Sequence, residues 1–381
     1  MTNLSDLRAG ADLALAAMAD LVGHEHVLRD DATRERYARS TAGRPMRPLA
    51  VVRPADAGQV AGVVRLAAQH GLAVYPISTG KNWGYGDACA VGAGQVLLDL
   101  SRMNRIHHVD TELAYAVIEP GVTQRQLSSY LREHGDLLWA DCTGAGPDTS
   151  YIGNIMERGF GHSPHGNRLQ HVAGMQIVMA DGELLETGFG HYHGAKTTHL
   201  FPYGVGPFLD GLFTQSNLGV VTRLGIWLMP KAACVNHFLY SVPEHADIAA
   251  VVDALRPLRL DGTLRSIVHI GNDMRVISGG MVFPRAQVPQ GSRLPEAARA
   301  ALCAGGDIAP GPCPARSMDR MPRWRPRVRR CGARYAACRD GCVSSASAAC
   351  ALAPWSAAAW AKAAPGAACV PAWRSANRCS P

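Results

Sequence analysis

The sequence PISTGKNWGYG, residues 76–86, overlaps an apolar stretch, Leu72–Ile77, whose composition predicts a buried strand. Upstream, Pro54 opens a predicted amphipathic helix that Gly71 closes. The apolar face of this helix carries four residues at helical spacing: Val60, Val63, Val64 and Ala67. The local unit is therefore a strand, a helix, a second strand and a glycine-rich loop.

The composition of this loop is typical of a segment that binds an anion. Its glycines let backbone N–H groups approach a pyrophosphate without side-chain clash, and its hydroxyl and amide side chains add hydrogen-bond donors. The residues with these properties are Gly80, Gly84, Gly86, Ser78, Thr79 and Asn82. Taken alone, the loop is equally consistent with an ordinary structural turn.

Three later segments occur with this loop in a definite order. They read YAVIEPGVT at Tyr115–Thr123, GNIMERGFGHSPHG at Gly153–Gly166 and QSNLGVVTRLGIWLMP at Gln215–Pro230. In order and spacing, the four segments resemble flavoproteins of the vanillyl-alcohol oxidase and para-cresol methylhydroxylase family. The resemblance covers about residues 48 to 270.

The resemblance implies an α+β chain, with a two-subdomain FAD-binding fold followed by the start of an incomplete α+β substrate or cap domain. The predicted organisation is an N-terminal helical segment (1–47), an FAD-binding domain (48–232), the beginning of the substrate domain (233–304) and an anomalous tail (305–381).

FAD is the implied cofactor, and its predicted contacts lie in the four segments. They are Pro76, Ser78, Thr79, Gly80, Lys81, Asn82, Gly84, Gly86, Pro120, Gly121, Gly153, Asn154, Glu157, Gly159, Gly161, Gly219, Val220 and Thr222. Two of these segments have a plain structural alternative. The glycines at 159 and 161 are also typical of a turn, and residues 217–222 of a tightly packed strand.

Relatives of this kind act on para-alkyl or para-allyl phenols, and the resemblance implies the same substrates here. Hydride leaves the benzylic carbon for the flavin and a quinone methide forms, with oxygen or cytochrome c as the final electron acceptor. Tyr85 matches a tyrosine that binds the phenolate, whose charge drives hydride loss through the ring. The alternative for Tyr85 is an aromatic side chain that only packs on the flavin.

An active-site carboxylate is expected in the segment ADCTGAGPDTSYIGN, residues 140–154. Asp148 has the Pro-Asp context of the family and is the preferred candidate, while Asp141, which follows a Leu-Trp pair, remains open. Relatives attach FAD through a histidine or tyrosine in a C-terminal part that has no counterpart here. Non-covalent FAD is therefore expected.

The tail beyond residue 304 differs sharply from the rest of the chain. It carries 12 of the 38 basic residues but only three of the 31 acidic ones, so the net charge of +7 originates there. It also holds seven of the 11 cysteines and few large aliphatic residues, too few for a packed core. The tail is predicted to be disordered or out of frame. A basic nucleic-acid-binding tail and a cysteine-rich module are the alternatives.

Further patterns predict the remaining elements. Residues 96–100 and 115–119 are expected to be strands, and residues 123–134 a helix capped by Thr123. Residues 175–187 are predicted to form a hairpin with a two-residue Asp181-Gly182 turn, and residues 248–258 a helix.

Two functional hypotheses follow from these observations. The first is an FAD-dependent oxidoreductase of phenols whose activity is crippled in this chain, and the second is a non-catalytic FAD-binding remnant. Neither involves a metal, nucleic acid or a membrane, and a cytoplasmic location is expected. The exact phenol, the acceptor and the oligomeric state, including a homo-oligomer, remain open.

Overall fold

The structure of the protein is a computed structural model that describes residues 4–40, 45–81, 87–233, 237–241, 248–289, 291–306 and 316–320. Its helices are α1 Leu4–Val22, α2 Asp31–Ala38, α3 Ala57–Gln69, α4 Gln124–Glu133, α5 Tyr151–Met156, α6 Ile248–Leu260, α7 Asp273–Gly280 and α8 Glu296–Gly305. Its strands are β1 Val27–Leu28, β2 Ala50–Val52, β3 Val74–Ile77, β4 Val96–Asp99, β5 Ile106–Asp110, β6 Tyr115–Ile118, β7 Leu138–Trp139, β8 Val172–Met179, β9 Leu184–Glu186, β10 Gly219–Trp227, β11 Met229–Pro230, β12 His237–Ser241, β13 Ile270–Gly271 and β14 Arg316–Arg320.

The chain divides into two compact units. The first contains the residues up to Gly161 and from His165 to Lys231, and the second contains His162–Pro164 and the residues from Ala232 onward. The second unit holds α6, α7, α8 and an antiparallel sheet in the order β12-β14-β13.

The first unit is built on two larger sheets. One has the order β1-β2-β4-β3, in which β2, β4 and β3 are parallel and α3 forms the crossover from β2 to β3. Helices α1 and α3 cover this sheet and form its core. The other has the antiparallel order β5-β6-β10-β8-β9, and α4 and α5 pack on it. Val178 and Val220 of the second sheet belong to the core of the first, so the two layers share packing.

Local capping and turn chemistry account for several of these elements. Thr123 Oγ1 accepts a hydrogen bond from the N–H of Gln126 at 3.1 Å, which confirms the predicted cap of α4. Helix α3 begins later than predicted, at Ala57 rather than Pro54, because Asp56 is its N-cap and accepts from Gln59 N–H at 2.9 Å.

The hairpin between β8 and β9 is also present, but its loop is one residue longer than predicted. Gly182 N–H donates to the carbonyl of Met179, and Glu183 pairs with Met179, which leaves Ala180–Gly182 as a three-residue loop. Only Gly182 has a positive φ, +80°, whereas a two-residue type I′ turn would also require one at Asp181.

Strand β3 departs from its prediction in a different way. It is shorter than the predicted Leu72–Ile77, and its residues are partly exposed rather than buried because it is an edge strand of its sheet. Five residues of the predicted disordered tail, Arg316–Arg320, form β14. The rest of the tail beyond residue 306 lies outside the described residues, where the prediction stays a prediction.

Candidate functional site

Three of the four segments that carry the family resemblance converge in the first unit. Gly153 lies so close to the loop after β3 that a Cβ added to it would overlap the hydroxyl oxygen of Ser78. The N–H of Gly153 donates to Ser150 Oγ at 3.0 Å, and that hydroxyl donates to the carbonyl of Pro120 at 2.5 Å. Absence of a side chain at Gly153 is therefore what lets the loop after β3 reach the first turn of α5.

The loop after β3 keeps donors available for a ligand. Ser78 and Thr79 are half-buried, and within the described part of the chain neither hydroxyl makes a hydrogen bond. Gly80 has a φ of +63°, and a Cβ there would approach Ala88 Cβ to 2.9 Å. Lys81 is exposed and favours the charged form of Asp148. Two free hydroxyls, a lysine and a glycine turn fit the phosphates of a nucleotide.

Four of the predicted site residues in this loop lie outside the described residues. They are Asn82, Gly84, Tyr85 and Gly86. Their predicted contacts with the cofactor and the phenolate stay predictions.

Pro120 and Gly121 are buried by the protein itself. Gly121 N–H donates to the carbonyl of Met103 at 2.6 Å, and a Cβ on Gly121 would lie 2.6 Å from the Ser101 carbonyl oxygen. The structure thus gives both residues a packing role. Their predicted contact with FAD is not needed to explain why they are small or rigid.

The residues predicted at the start of β10 are held inside the five-stranded sheet. Val220 packs in the core, and Thr222 Oγ1 donates to the carbonyl of Gln176 on β8 at 3.2 Å. A Cβ on Gly219 would lie 2.9 Å from the Val178 carbonyl oxygen. The segment is thus a tightly packed strand, and the predicted flavin contact of these residues stays a prediction.

The two candidate carboxylates occupy opposite environments. Asp148, the preferred one, is 62% exposed and forms an ion pair with the equally exposed Arg125 at 2.9 Å. The hydrogen bond from Arg125 holds the pKa of Asp148 below its usual range. Asp141 is only 5% exposed, and its carboxylate lies 2.6 Å from Nε of Arg168, which is itself 3% exposed.

Arg168 is the centre of a buried polar cluster that the sequence patterns did not reveal. Its guanidinium also donates to the carbonyl of Asp141 at 3.1 Å, to Asn154 Oδ1 at 3.2 Å and to Gln124 Oε1 at 3.3 Å. It stacks over the ring of Tyr151, 4.6 Å from the centroid, and the Tyr151 hydroxyl donates to the same Asp141 carbonyl. No local motif surrounds Arg168 in the sequence, so only its burial identifies it.

The predicted contacts Asn154, Glu157, Gly159 and Gly161 lie around this cluster. Gly159 rests on the side chain of Asn154, and Gly161 rests on the carboxylate of Asp141, so a Cβ at either glycine would overlap its support. Glu157 is half-buried, and burial raises its pKa. Burial also raises the pKa of Tyr75 on β3, and the nearby charge of Glu157 raises it further.

Two further properties of the described residues bear on the kind of site this is. Among the described residues, no group of three histidine, cysteine or carboxylate side chains is placed to hold a metal ion. Within the same part of the chain, no helix has the length and apolar character needed to cross a bilayer.

Comparison with known proteins points to one group. Residues 48–188 match the sequence model of the FAD binding domain family. The chain is 42% identical over 289 residues to 1'-carboxy-chondrochloren decarboxylase of Chondromyces crocatus, covering 76% of this chain and 53% of that protein. It is 40% identical over 227 residues to the flavoprotein subunit of 4-cresol dehydrogenase (hydroxylating) of Pseudomonas putida, covering 60% and 44%.

Comparison of the fold with solved structures points to the same group of flavoproteins. A crystal structure of p-cresol methylhydroxylase with substrate bound superposes with a TM-score of 0.75 at 32% identity, covering 82% of this chain and 61% of that one. This chain spans about half the length of the two sequence relatives, the decarboxylase and the 4-cresol dehydrogenase subunit.

Proposed function

The chain belongs to the flavoprotein family that includes p-cresol methylhydroxylase and has FAD as its cofactor, and we propose that it is an oxidoreductase of para-alkyl or para-allyl phenols. The relatives named for 4-cresol and p-cresol support this substrate class. Oxygen or cytochrome c is the proposed electron acceptor.

The observation that carries the proposal is the approach of Ser78 to Gly153. A loop from the parallel sheet and a turn of α5 from the antiparallel layer come together there only because Gly153 has no side chain. The hydroxyls of Ser78 and Thr79 and the ammonium group of Lys81 are then available to bind the phosphates of FAD. FAD supplies the hydride acceptor, which no amino-acid side chain can provide.

We assign the protein's own residues the work of binding and orientation. Gly159 and Gly161 present backbone without side chains beside Asn154 and Asp141. Tyr85 is proposed to bind the phenolate, because a positioned hydroxyl stabilises the charge that the ring must carry when hydride leaves. Asp148 has an exposed, ion-paired carboxylate, whereas Asp141 is buried against Arg168. Neither pairing favours a proton-transfer role, since each carboxylate is already bonded to a guanidinium group.

Loading of the cofactor is the first test. The purified chain is titrated with FAD while quenching of flavin fluorescence is followed. Ser78→Ala is expected to raise the Kd because it removes a hydroxyl that faces Gly153. Ser128→Ala, an exposed serine on α4, is the matched control. An unchanged Kd for Ser78→Ala would contradict the proposed phosphate loop.

Reduction of the bound flavin is the second test. Because activity is expected to be crippled in this chain, anaerobic mixing with 4-ethylphenol is expected to bleach the oxidised flavin band only slowly. The methyl ether of the same compound, which cannot ionise, is expected to leave the band unchanged. Binding of FAD without any bleaching by the phenol would favour the non-catalytic alternative.

A second candidate activity is decarboxylation, which can be tested on an acid that carries the phenol of the first proposal. It is favoured by the 42% identity to 1'-carboxy-chondrochloren decarboxylase, which covers more of this chain than the 4-cresol relative does. Release of carbon dioxide from a 4-hydroxyphenylalkanoate would support it. Bleaching by 4-ethylphenol without such release would support the first candidate.

A further inference from the structure

The segment Arg158–Gly161 contains the two glycines that are proposed to lie against the flavin, and both rest on polar side chains. Gly159 lies against Asn154 and Gly161 against the carboxylate of Asp141, at a separation that only glycine allows. The position of the segment is therefore set by the positions of Asn154 and Asp141.

One guanidinium group holds both of these supports. Arg168 donates from Nε to Asp141 Oδ2 at 2.6 Å and from Nη1 to Asn154 Oδ1 at 3.2 Å. Its Nη2 reaches Gln124 Oε1 at 3.3 Å, and that oxygen also accepts from Thr143 N–H at 2.7 Å. The planar fork of arginine allows three separate acceptors to be held in one fixed arrangement, which a lysine cannot reproduce.

The loop that links Gly161 to Arg168 is closed on itself. The N–H of Gly161 donates to the carbonyl of Gly166 at 2.9 Å, and Phe160 forms a β-bridge with Asn167. Arg168 is the next residue after Asn167, so it is fixed at the end of the same loop whose glycines it supports.

From this geometry we propose that Arg168 is a positioning residue, which fixes Gly159 and Gly161 for flavin contact through Asn154 and Asp141. The inference rests on the proposed function, because it assigns these glycines to the FAD site. The side chain of Arg168 does not touch the cofactor in this scheme. It acts by holding the backbone of the segment at the distance that the flavin requires.

The decisive variant replaces the buried pair as a whole. Arg168→Met with Asp141→Leu removes both charges, and such apolar replacements of buried ion pairs are often neutral for stability. A purely structural role predicts that the double variant has the same unfolding midpoint and the same FAD affinity as the native chain. A positioning role predicts that the double variant has the native midpoint but a Kd for FAD raised by about ten-fold, since the hydrogen bonds from Arg168 to Asp141 and Asn154 that locate the segment are lost.

The experiment measures the Kd for FAD by fluorescence quenching and the unfolding midpoint without FAD. It compares the native chain, the double variant, Arg168→Lys, and Arg223→Met, which removes the ion pair to Glu186 and serves as the control. Arg168→Lys keeps the charge but not the fork, and it is expected to keep the midpoint while raising the Kd several-fold. Arg223→Met is expected to bind FAD like the native chain.

The outcomes separate this inference from the proposed function. The positioning role would be overturned if Arg168→Lys bound FAD with the native Kd. It would also be overturned if the double variant had both the native midpoint and the native Kd. If the double variant does not fold, the lysine variant decides. A native chain that fails to bind FAD would overturn the proposed function itself.

Discussion

Two arginine–aspartate pairs, seven residues apart at their aspartates, show how environment changes the meaning of the same chemistry. The pair of Arg125 and Asp148 is about 60% exposed on both sides, and the pair of Arg168 and Asp141 is almost completely buried. Water competes with the first pair and screens it, whereas the second is shielded from solvent by its burial. The exposed pair lies on the surface, whereas the buried pair supports Gly161 through the carboxylate of Asp141.

The largest effect is expected from breaking the buried pair on one side. Arg168→Met leaves the charge of Asp141 buried without its partner, which costs about 3–5 kcal/mol of unfolding free energy. Urea denaturation of the chain without FAD measures this. The comparison would fail if Arg168→Met and Arg125→Met had the same midpoint.

A third aspartate, Asp210, sharpens the comparison because it is fully buried with no ion pair in the described part of the chain. Burial raises its pKa to about 6, from an ordinary value of 3.8, and only the Thr187 hydroxyl opposes this shift. The folded chain therefore holds this proton where the unfolded chain has lost it.

A pH dependence with a definite sign follows from that shift. The contribution of Asp210 to the unfolding free energy should fall by about 3 kcal/mol as the pH rises from about 4 to about 6, and then level off. Asp210→Asn should lack this fall. Unfolding free energies of the two proteins at several pH values measure it, and parallel curves would contradict the prediction.

Gly161→Ala is expected to have a smaller effect, through the same buried pair. The added methyl group would overlap the Asp141 carboxylate, which Arg168 prevents from moving away, and overpacking of this kind costs about 1–3 kcal/mol. Gly211→Ala, at a site with open space around the new Cβ, is the control. Equal thermal midpoints for the two variants would argue against a rigid support under Gly161.

The smallest effect is expected at the exposed pair. Asp148→Asn should have the same unfolding midpoint as the native chain within error, because solvent and salt screen the interaction with Arg125. Measurement at low and high salt tests this. A clear loss of stability at high salt would mean that the pair is more protected than its exposure indicates.

Several features of the fold could be predicted from the sequence because a few neighbouring residues encode them. The cap of α4 depends on Thr123 and an N–H three residues away. The hairpin depends on a glycine that can adopt a positive φ at residue 182. The resemblance to the family was likewise carried by short segments in order, and the family and its FAD binding domain are confirmed.

The tertiary structure alone decided which polar residues are buried and what they hold. Asp141 and Arg168 are 27 residues apart, and nothing near either one distinguishes it from the exposed pair of Asp148 and Arg125. In the same way, only the tertiary structure shows the packing contacts of Pro120, Gly121, Val220 and Thr222, whose predicted FAD contacts stay predictions. Capping and turns are local in the chain and can be recognised there, whereas burial and ion pairing depend on residues that only folding brings together.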